Sequence, residues 1–257
     1  MVDFPPASAP SAPPSASDGW TLDDLAGLID HALLSPTLVA EDYDRGCDLA
    51  AAYQVASVCV SPHKVTHVAR RLAGTGVKTC TVIGFPHGLH VPSIKAAEAR
   101  AALAEGAVEL DMVVNVSRVL DGDWDHVAQD IAGVTTAARE AGAKTKVIFE
   151  TGHLNDAQKI KLCELCGIAG ADWVKTSTGF GPGGATDHDL QLMVKHAPPG
   201  VEVKASGGLK TLDRLLEVRA LGVTRAGMSG TAAVLGEACD RLGIPRRWDS
   251  PATPQGY

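Results

Sequence analysis

The sequence predicts an α/β fold, a single (β/α)8 barrel with an extra helix ahead of it, and three observations carry that prediction. Strand-like and helix-like patterns alternate eight times over roughly 225 residues. The strand segments are near-continuous apolar runs, as in a parallel sheet covered by helices. Polar residues break into those runs chiefly at their C-terminal ends, where barrels build their sites. A doubly wound sheet usually has fewer strands and ranks second.

Each element has a local reason. Residues 1–19 are Pro, Ala and Ser with no basic start and no apolar centre, which predicts a disordered extension rather than a signal peptide. Thr21, Asp23 and Asp24 open a short helix over 21–28. The first strand covers 28–34, carries Asp30 and is halted by Ser35-Pro36. Helix 37–54 leads to strand 56–60 with Cys59, and helix 62–73 to strand 77–83, ended by Gly84-Phe85-Pro86-His87-Gly88. Alanine-rich helix 91–105 precedes strand 107–115, in which Asp111, Val113 and Asn115 share a face. Helix 125–141, strand 144–150 and helix 155–169 follow. The sixth strand is Trp173-Val174-Lys175-Thr176-Ser177-Thr178, closed by Gly179, and helix 187–196 comes next. Strand seven at 201–206 carries Lys204 ahead of Gly207-Gly208. Helix 211–221, strand 223–227 and helix 231–242 complete a TIM barrel domain over 20–244. Residues 245–257, with three prolines and no periodicity, predict a flexible tail.

Composition bounds the partners. The chain has 257 residues, 45% of them hydrophobic, a net charge of -7 and no basic tract, which argues against nucleic acid. No apolar run is long enough to span a bilayer, so no membrane is expected. Cys47, Cys59, Cys80, Cys163, Cys166 and Cys239 are scattered, the pattern of reduced thiols in a cytoplasmic protein. The Cys163-x-x-Cys166 pair falls in mid-helix, where packing is expected rather than redox chemistry. The oligomeric state is not legible, and a homodimer is one state open to it.

The residues at or near strand ends are Asp30, Cys59, Asp111, Asn115, Lys146, Glu150, Lys175, Thr178, Lys204 and Ser229. Lysines inside buried strands repel one another and lose hydration, and a desolvated, crowded lysine becomes a nucleophile. Carboxylates and three lysines facing one mouth favour covalent amine catalysis over metal hydrolysis. Lys175 would attack a carbonyl, a cationic Lys204 would favour its neutral amine, and Asp111 would hold or move the proton. Asp30, Cys59, Lys146 and Thr178 are the surrounding substrate-binding candidates. Gly207, Gly208, Gly227 and Ser229 lie in loops after strands seven and eight, the usual phosphate position of this architecture.

Two competing readings have weaker support. Gly179-x-Gly181-x-x-Gly184 with Glu202 formally matches a dinucleotide fingerprint, yet five strands precede it and it does not run into a helix. His87 and His90 could start a metal site, but no acid is placed beside them. A barrel that binds a sugar phosphate without catalysis is the alternative from another functional class.

Several segments together resemble the deoxyribose-phosphate aldolase family of class I aldolases: Ile29-Asp30-His31-Ala32-Leu33-Leu34, Ser57-Val58-Cys59-Val60, Val82-Ile83-Gly84-Phe85-Pro86, Glu109-Leu110-Asp111-Met112-Val113-Val114-Asn115, Lys146-Val147-Ile148-Phe149-Glu150-Thr151, Val174-Lys175-Thr176-Ser177-Thr178-Gly179 and Val203-Lys204-Ala205-Ser206-Gly207-Gly208. The resemblance covers about residues 22–243. It implies a Schiff base on Lys175, Lys204 as the neighbouring cation, Asp111 as proton relay and phosphate around Gly207, Gly208, Gly227 and Ser229. It further implies reversible cleavage of 2-deoxy-D-ribose 5-phosphate to D-glyceraldehyde 3-phosphate and acetaldehyde in deoxynucleoside catabolism, with no metal or organic cofactor. Two positions depart from it: Ala32 stands where a threonine is common, and Gly230 where a second phosphate-loop serine is common. Some such aldolases end in a tyrosine that folds over the mouth, which makes Tyr257 a candidate proton shuttle.

Overall fold

The computed structural model describes residues 19–249, so the expected disorder of 1–18 and the role of Tyr257 fall outside the described residues. Helix α1 (Leu22–Ala26) is followed by β1 (Ile29–Leu33), α2 (Ala40–Tyr53), β2 (Ser57–Val60), α3 (Val65–Arg71), β3 (Lys78–Ile83), α4 (Pro92–Ala104) and β4 (Glu109–Val113). Then come α5 (Val116–Leu120), α6 (Trp124–Glu140), β5 (Lys144–Ile148), α7 (Asp156–Ala169), β6 (Trp173–Lys175) and α8 (Asp187–His196). The chain closes with β7 (Glu202–Ser206), α9 (Leu212–Ala220), β8 (Arg225–Met228) and α10 (Thr231–Leu242). The eight strands form one closed parallel barrel in sequence order, with β8 pairing back onto β1.

Side-chain parity along each strand decides what faces where. Ile29 and Leu33 of β1, Leu110 and Met112 of β4, Val147 of β5, Val174 of β6 and Val203 of β7 all join the apolar core between sheet and helices. Their neighbours on the other parity (Asp30, Glu109, Asp111, Lys146, Lys175 and Lys204) therefore turn into the barrel. A parallel sheet covered on its outer face needs this outward layer of apolar side chains, and the charged residues that interrupt it are the ones whose parity turns them inward.

Local chemistry sets the helix starts. Thr21 and Asp24 form a reciprocal capping box at α1, and Asn155 with Gln158 does the same at α7, each satisfying N–H groups that a helix start leaves open. Cys163 and Cys166 lie within α7, both buried and unbridged, in keeping with a packing role. Two differences from the sequence reading stand out. Asn115 caps a short helix, α5, that no apolar periodicity announces; its side chain accepts from the Arg118 N–H at 3.2 Å and so turns away from the barrel mouth. Residues 245–249, the described part of the expected tail, make contacts with the barrel: Trp248 packs on the core, and Arg247 pairs with Asp23 at 2.7 Å.

Candidate active site

The interior of the barrel is a network of ions. Arg225 lies with its guanidinium 4.8 Å above the Trp173 ring and donates to Asp30 at 2.7 Å and to Glu109 at 3.0 Å. Above it, the Lys146 Nζ contacts Glu109 at 2.5 Å, Asp111 at 2.9 Å and Asp30 at 3.6 Å. At the top, Lys204 bonds Asp30 at 2.5 Å and Asp111 at 2.7 Å, while Lys175 bonds Asp111 alone, at 2.7 Å. Lys175 and Lys204 are register partners across β6 and β7, which is why their amines converge on one carboxylate.

Charge balance ranks the four cations. Lys146, Lys175, Lys204 and Arg225 face only Asp30, Glu109 and Asp111, one positive charge in surplus in a place shielded from water. An uncompensated buried charge is costly, and Lys175, with Asp111 as its single carboxylate, is the cation with the fewest anionic partners. Burial pushes the Lys204 ammonium toward neutrality, but Asp111 and Asp30 outweigh it and hold the proton more firmly than on an ordinary lysine. The same contest fixes Lys146 as a cation, through Asp111, Asp30 and Glu109. Burial would raise the Asp111 carboxyl, yet Lys146, Lys175 and Lys204 together hold it well below the usual carboxylate range. A neutral amine beside a fixed ammonium and a fixed carboxylate can add to a carbonyl and pass protons without the site changing its net charge.

Above this network lies a cavity of about 260 Å³. Asp30, Lys175 and Lys204 line it together with Cys59 and Thr178, and Gly179, Gly183, Gly207, Gly208, Gly227 and Ser229 bring in the three loops. The loops are packed closely: a Cβ on Gly184 would sit 2.6 Å from the Gly207 carbonyl oxygen, and Gly207 has a φ of +90°. Of the two helices that follow the loops after β7 and β8, only one has an open start. Thr211 caps α9 by accepting from Arg214 N–H, whereas Gly230 gives α10 no side-chain cap, so the first N–H groups of α10 are left for an anion or water beside Ser229.

The structure thus brings most sequence-derived candidates to one mouth and relocates others. Lys146 sits in mid-strand, fully buried and off the cavity wall, because its parity turns it into the barrel below the rim, where its partners are Glu109, Asp111 and Asp30. Asp111 is also beneath the surface and reaches the cavity through Lys175 and Lys204. Glu150 turns under Thr178 toward a neighbouring cleft. Glu109 and Arg225 were missed, although each lies two residues before an inward position, Asp111 and Gly227, and so shares its face. Lys210, which also lines the cavity, had a signal in its place two residues after the Gly207-Gly208 pair.

The competing sites fare poorly on geometry. The Gly179-to-Gly184 loop is followed by α8 only at Asp187, and Glu202 accepts from Thr224 at 2.7 Å, so neither element of a dinucleotide fingerprint is in position. Among the described residues Cys59, Cys80 and Asp111 cluster closely enough to hold a metal ion. Asp111 already accepts from three lysines, whose charges would repel a second cation.

The chain has relatives along most of its length. Residues 25–236 match the model of the DeoC/LacD family of aldolases. The chain belongs to that family. It is 55% identical over 234 residues to a deoxyribose-phosphate aldolase from Rhodopirellula baltica, which covers 91% of this chain and 97% of that one. A deoxyribose-phosphate aldolase from Thermococcus gammatolerans is 46% identical over 214 residues, 82% of this chain and 95% of its own. Among solved structures, the tetrameric deoxyribose phosphate aldolase of Aeropyrum pernix superimposes with a TM-score of 0.79 at 32% identity, covering 85% of this chain and 92% of the other. The DeoC/LacD relationship spans the whole barrel, and every ion of the interior network lies inside the matched residues.

Proposed function

We propose that the protein is a deoxyribose-phosphate aldolase that cleaves 2-deoxy-D-ribose 5-phosphate reversibly into D-glyceraldehyde 3-phosphate and acetaldehyde. The observation that carries this is the surplus cation: of four cationic groups facing three carboxylates, Lys175 alone has a single anionic partner and also lines the cavity. Its amine adds to C1 of the open-chain sugar and water leaves, giving an iminium. The C2–C3 bond then breaks, its electrons pass into the iminium, and the proton of the C3 hydroxyl leaves through the Lys204 and Asp111 pair. D-glyceraldehyde 3-phosphate departs, the enamine is protonated at C2, and water releases acetaldehyde from Lys175.

Lys204 and Asp111 keep the site in a fixed electrostatic state while these protons move, and neither step calls on a metal or an organic cofactor. The phosphate is assigned to the open start of α10 with Gly207, Gly208, Gly227 and Ser229. Asp30 and Cys59 line the same cavity from the first two strands. The reaction is placed in the cytoplasm, in the breakdown of deoxynucleosides, with small sugar phosphates and aldehydes as partners; a homodimer is the assembly proposed.

Incubation with substrate and borohydride, followed by peptide mass mapping, tests the mechanism. The expected result is a reduced two-carbon or sugar adduct on Lys175. Binding of the sugar phosphate without any adduct would mean a binding barrel in place of an enzyme.

A further inference from the structure

Glu150 is one of two non-glycine residues with positive φ among those described, at +56°. The other, Gln54, ends a helix, where that conformation is common. Glu150 ends no α-helix, and a glycine would take its backbone shape without the steric cost. What the position gains from glutamate is its carboxylate, which is buried at 5% exposure and turned onto Thr178. The Thr178 hydroxyl donates to Glu150 Oε2, and the Thr178 N–H points at both oxygens, at 3.3 and 3.4 Å. The loop makes room for this: a Cβ on Gly181 would stand 2.7 Å from the Glu150 carboxyl carbon.

The consequence lies in the hydrogen-bond inventory of Thr178. A hydroxyl has one proton and two lone pairs. Its proton goes to Glu150, and one lone pair is taken by the Phe180 N–H at 3.0 Å. Thr178 lines the cavity holding Lys175, so what it offers a substrate is a single remaining lone pair. We infer that Glu150 is a positioning residue for specificity: by taking the Thr178 proton it makes Thr178 an acceptor only, which selects a phosphorylated aldehyde that carries a hydroxyl donor.

D-glyceraldehyde 3-phosphate, the aldehyde of the proposed reaction, has one such hydroxyl, beside its carbonyl. An aldehyde phosphate without it would leave the Thr178 lone pair facing an empty site, and sites built to hydrogen-bond a hydroxyl reject analogues that lack one. This inference rests on the aldolase reading and adds to it the residue that sets hydroxyl selectivity.

The test compares acetaldehyde addition to D-glyceraldehyde 3-phosphate and to 3-phosphooxypropanal, which lacks the hydroxyl. In the unaltered protein the ratio of kcat/KM values should favour the hydroxylated aldehyde on the order of 10²-fold. Thr178→Val keeps the shape and removes the acceptor, so the ratio should fall toward one. Glu150→Leu removes the acceptor, leaves the Thr178 hydroxyl proton free to turn into the cavity and should cut the ratio at least tenfold. In the Thr178→Val background the same change should leave the ratio where Thr178→Val alone put it, since Glu150 acts only through that hydroxyl. A ratio that survives either single substitution overturns the inference, as does an equal loss on both aldehydes. If borohydride yields no adduct in the unaltered protein, the aldolase reading itself fails; if the adduct forms and the ratios do not move, only the role of Glu150 and Thr178 fails.

Discussion

Replacing Lys204 with leucine isolates the effect of a single charge. The substitution leaves Lys146, Lys175 and Arg225 facing Asp30, Glu109 and Asp111, so the interior becomes neutral only if Lys175 keeps its proton. Removing one partner of a buried ion pair costs about 3–5 kcal/mol. Here Asp30 still has Arg225 at 2.7 Å and Asp111 still has Lys146 at 2.9 Å, which puts the loss near the lower end. About 3 kcal/mol corresponds to a fall in Tm of roughly 6–12 °C for a domain of this size, so the variant should still fold at 25 °C. The rate should fall further than stability does. A positioned proton partner contributes about 10²–10⁴-fold, and protonated Lys175 is no nucleophile. Acetaldehyde release, measured from pH 6 to 10, should be at least 10²-fold slower near pH 7 and should climb with pH, because base then strips the proton that Lys204 no longer displaces. Wild-type turnover and a wild-type pH profile in this variant would refute the charge-balance argument, whatever the Tm.

Other outcomes follow from the same geometry. Lys175→Met should abolish borohydride trapping while sugar phosphate still binds, as read by isothermal titration, because the phosphate site proposed above is built by the loops after other strands. His31 is fully buried outside the barrel ring, bonded to Thr231 at 2.9 Å, and burial pulls it from 6.5 to about 4. Its folded pKa is below its unfolded one, so the unfolded chain binds more protons between those values and stability falls as pH drops through the window. That fall amounts to about 3 kcal/mol, and urea titrations of a His31→Gln variant at pH 7 and 4.5 should show it reduced. Tyr257, beyond the described residues, is proposed to help protonate the enamine. Deleting it should slow deuterium exchange from solvent into acetaldehyde and leave the Lys175 adduct intact.

How much of the site was legible depended on whether parity or propensity carried the information. Lys175 and Lys204 were visible because a lysine inside an apolar strand ahead of a glycine turn is costly without a purpose. Asp30 and Asp111 were visible for the same reason. Lys146 was equally visible but was assigned to the rim, since the sequence shows that a residue points inward without showing how deep. Glu109 and Arg225 escaped notice at strand starts, where a charged residue usually reaches solvent; barrel closure puts them on the inner axis instead. Asn115 had the right parity and the wrong destination, as its side chain was drawn into capping α5.

The sequence alone determined the order of eight strands and their helices, because apolar runs, capping residues and glycine breaks are local signals that each segment carries for itself. It also placed Asp30, Asp111, Lys146, Lys175 and Lys204 on the inward face of their strands. Only the tertiary structure decided how those charges are shared. The register of β6 against β7 sets Lys175 beside Lys204, and closure of β8 onto β1 brings Arg225 to Asp30 across 195 residues of chain. Whether a lysine is a counter-ion or a nucleophile depends on how many carboxylates stand within a few ångströms of it. That number is fixed by strand register and barrel closure, which no single segment encodes.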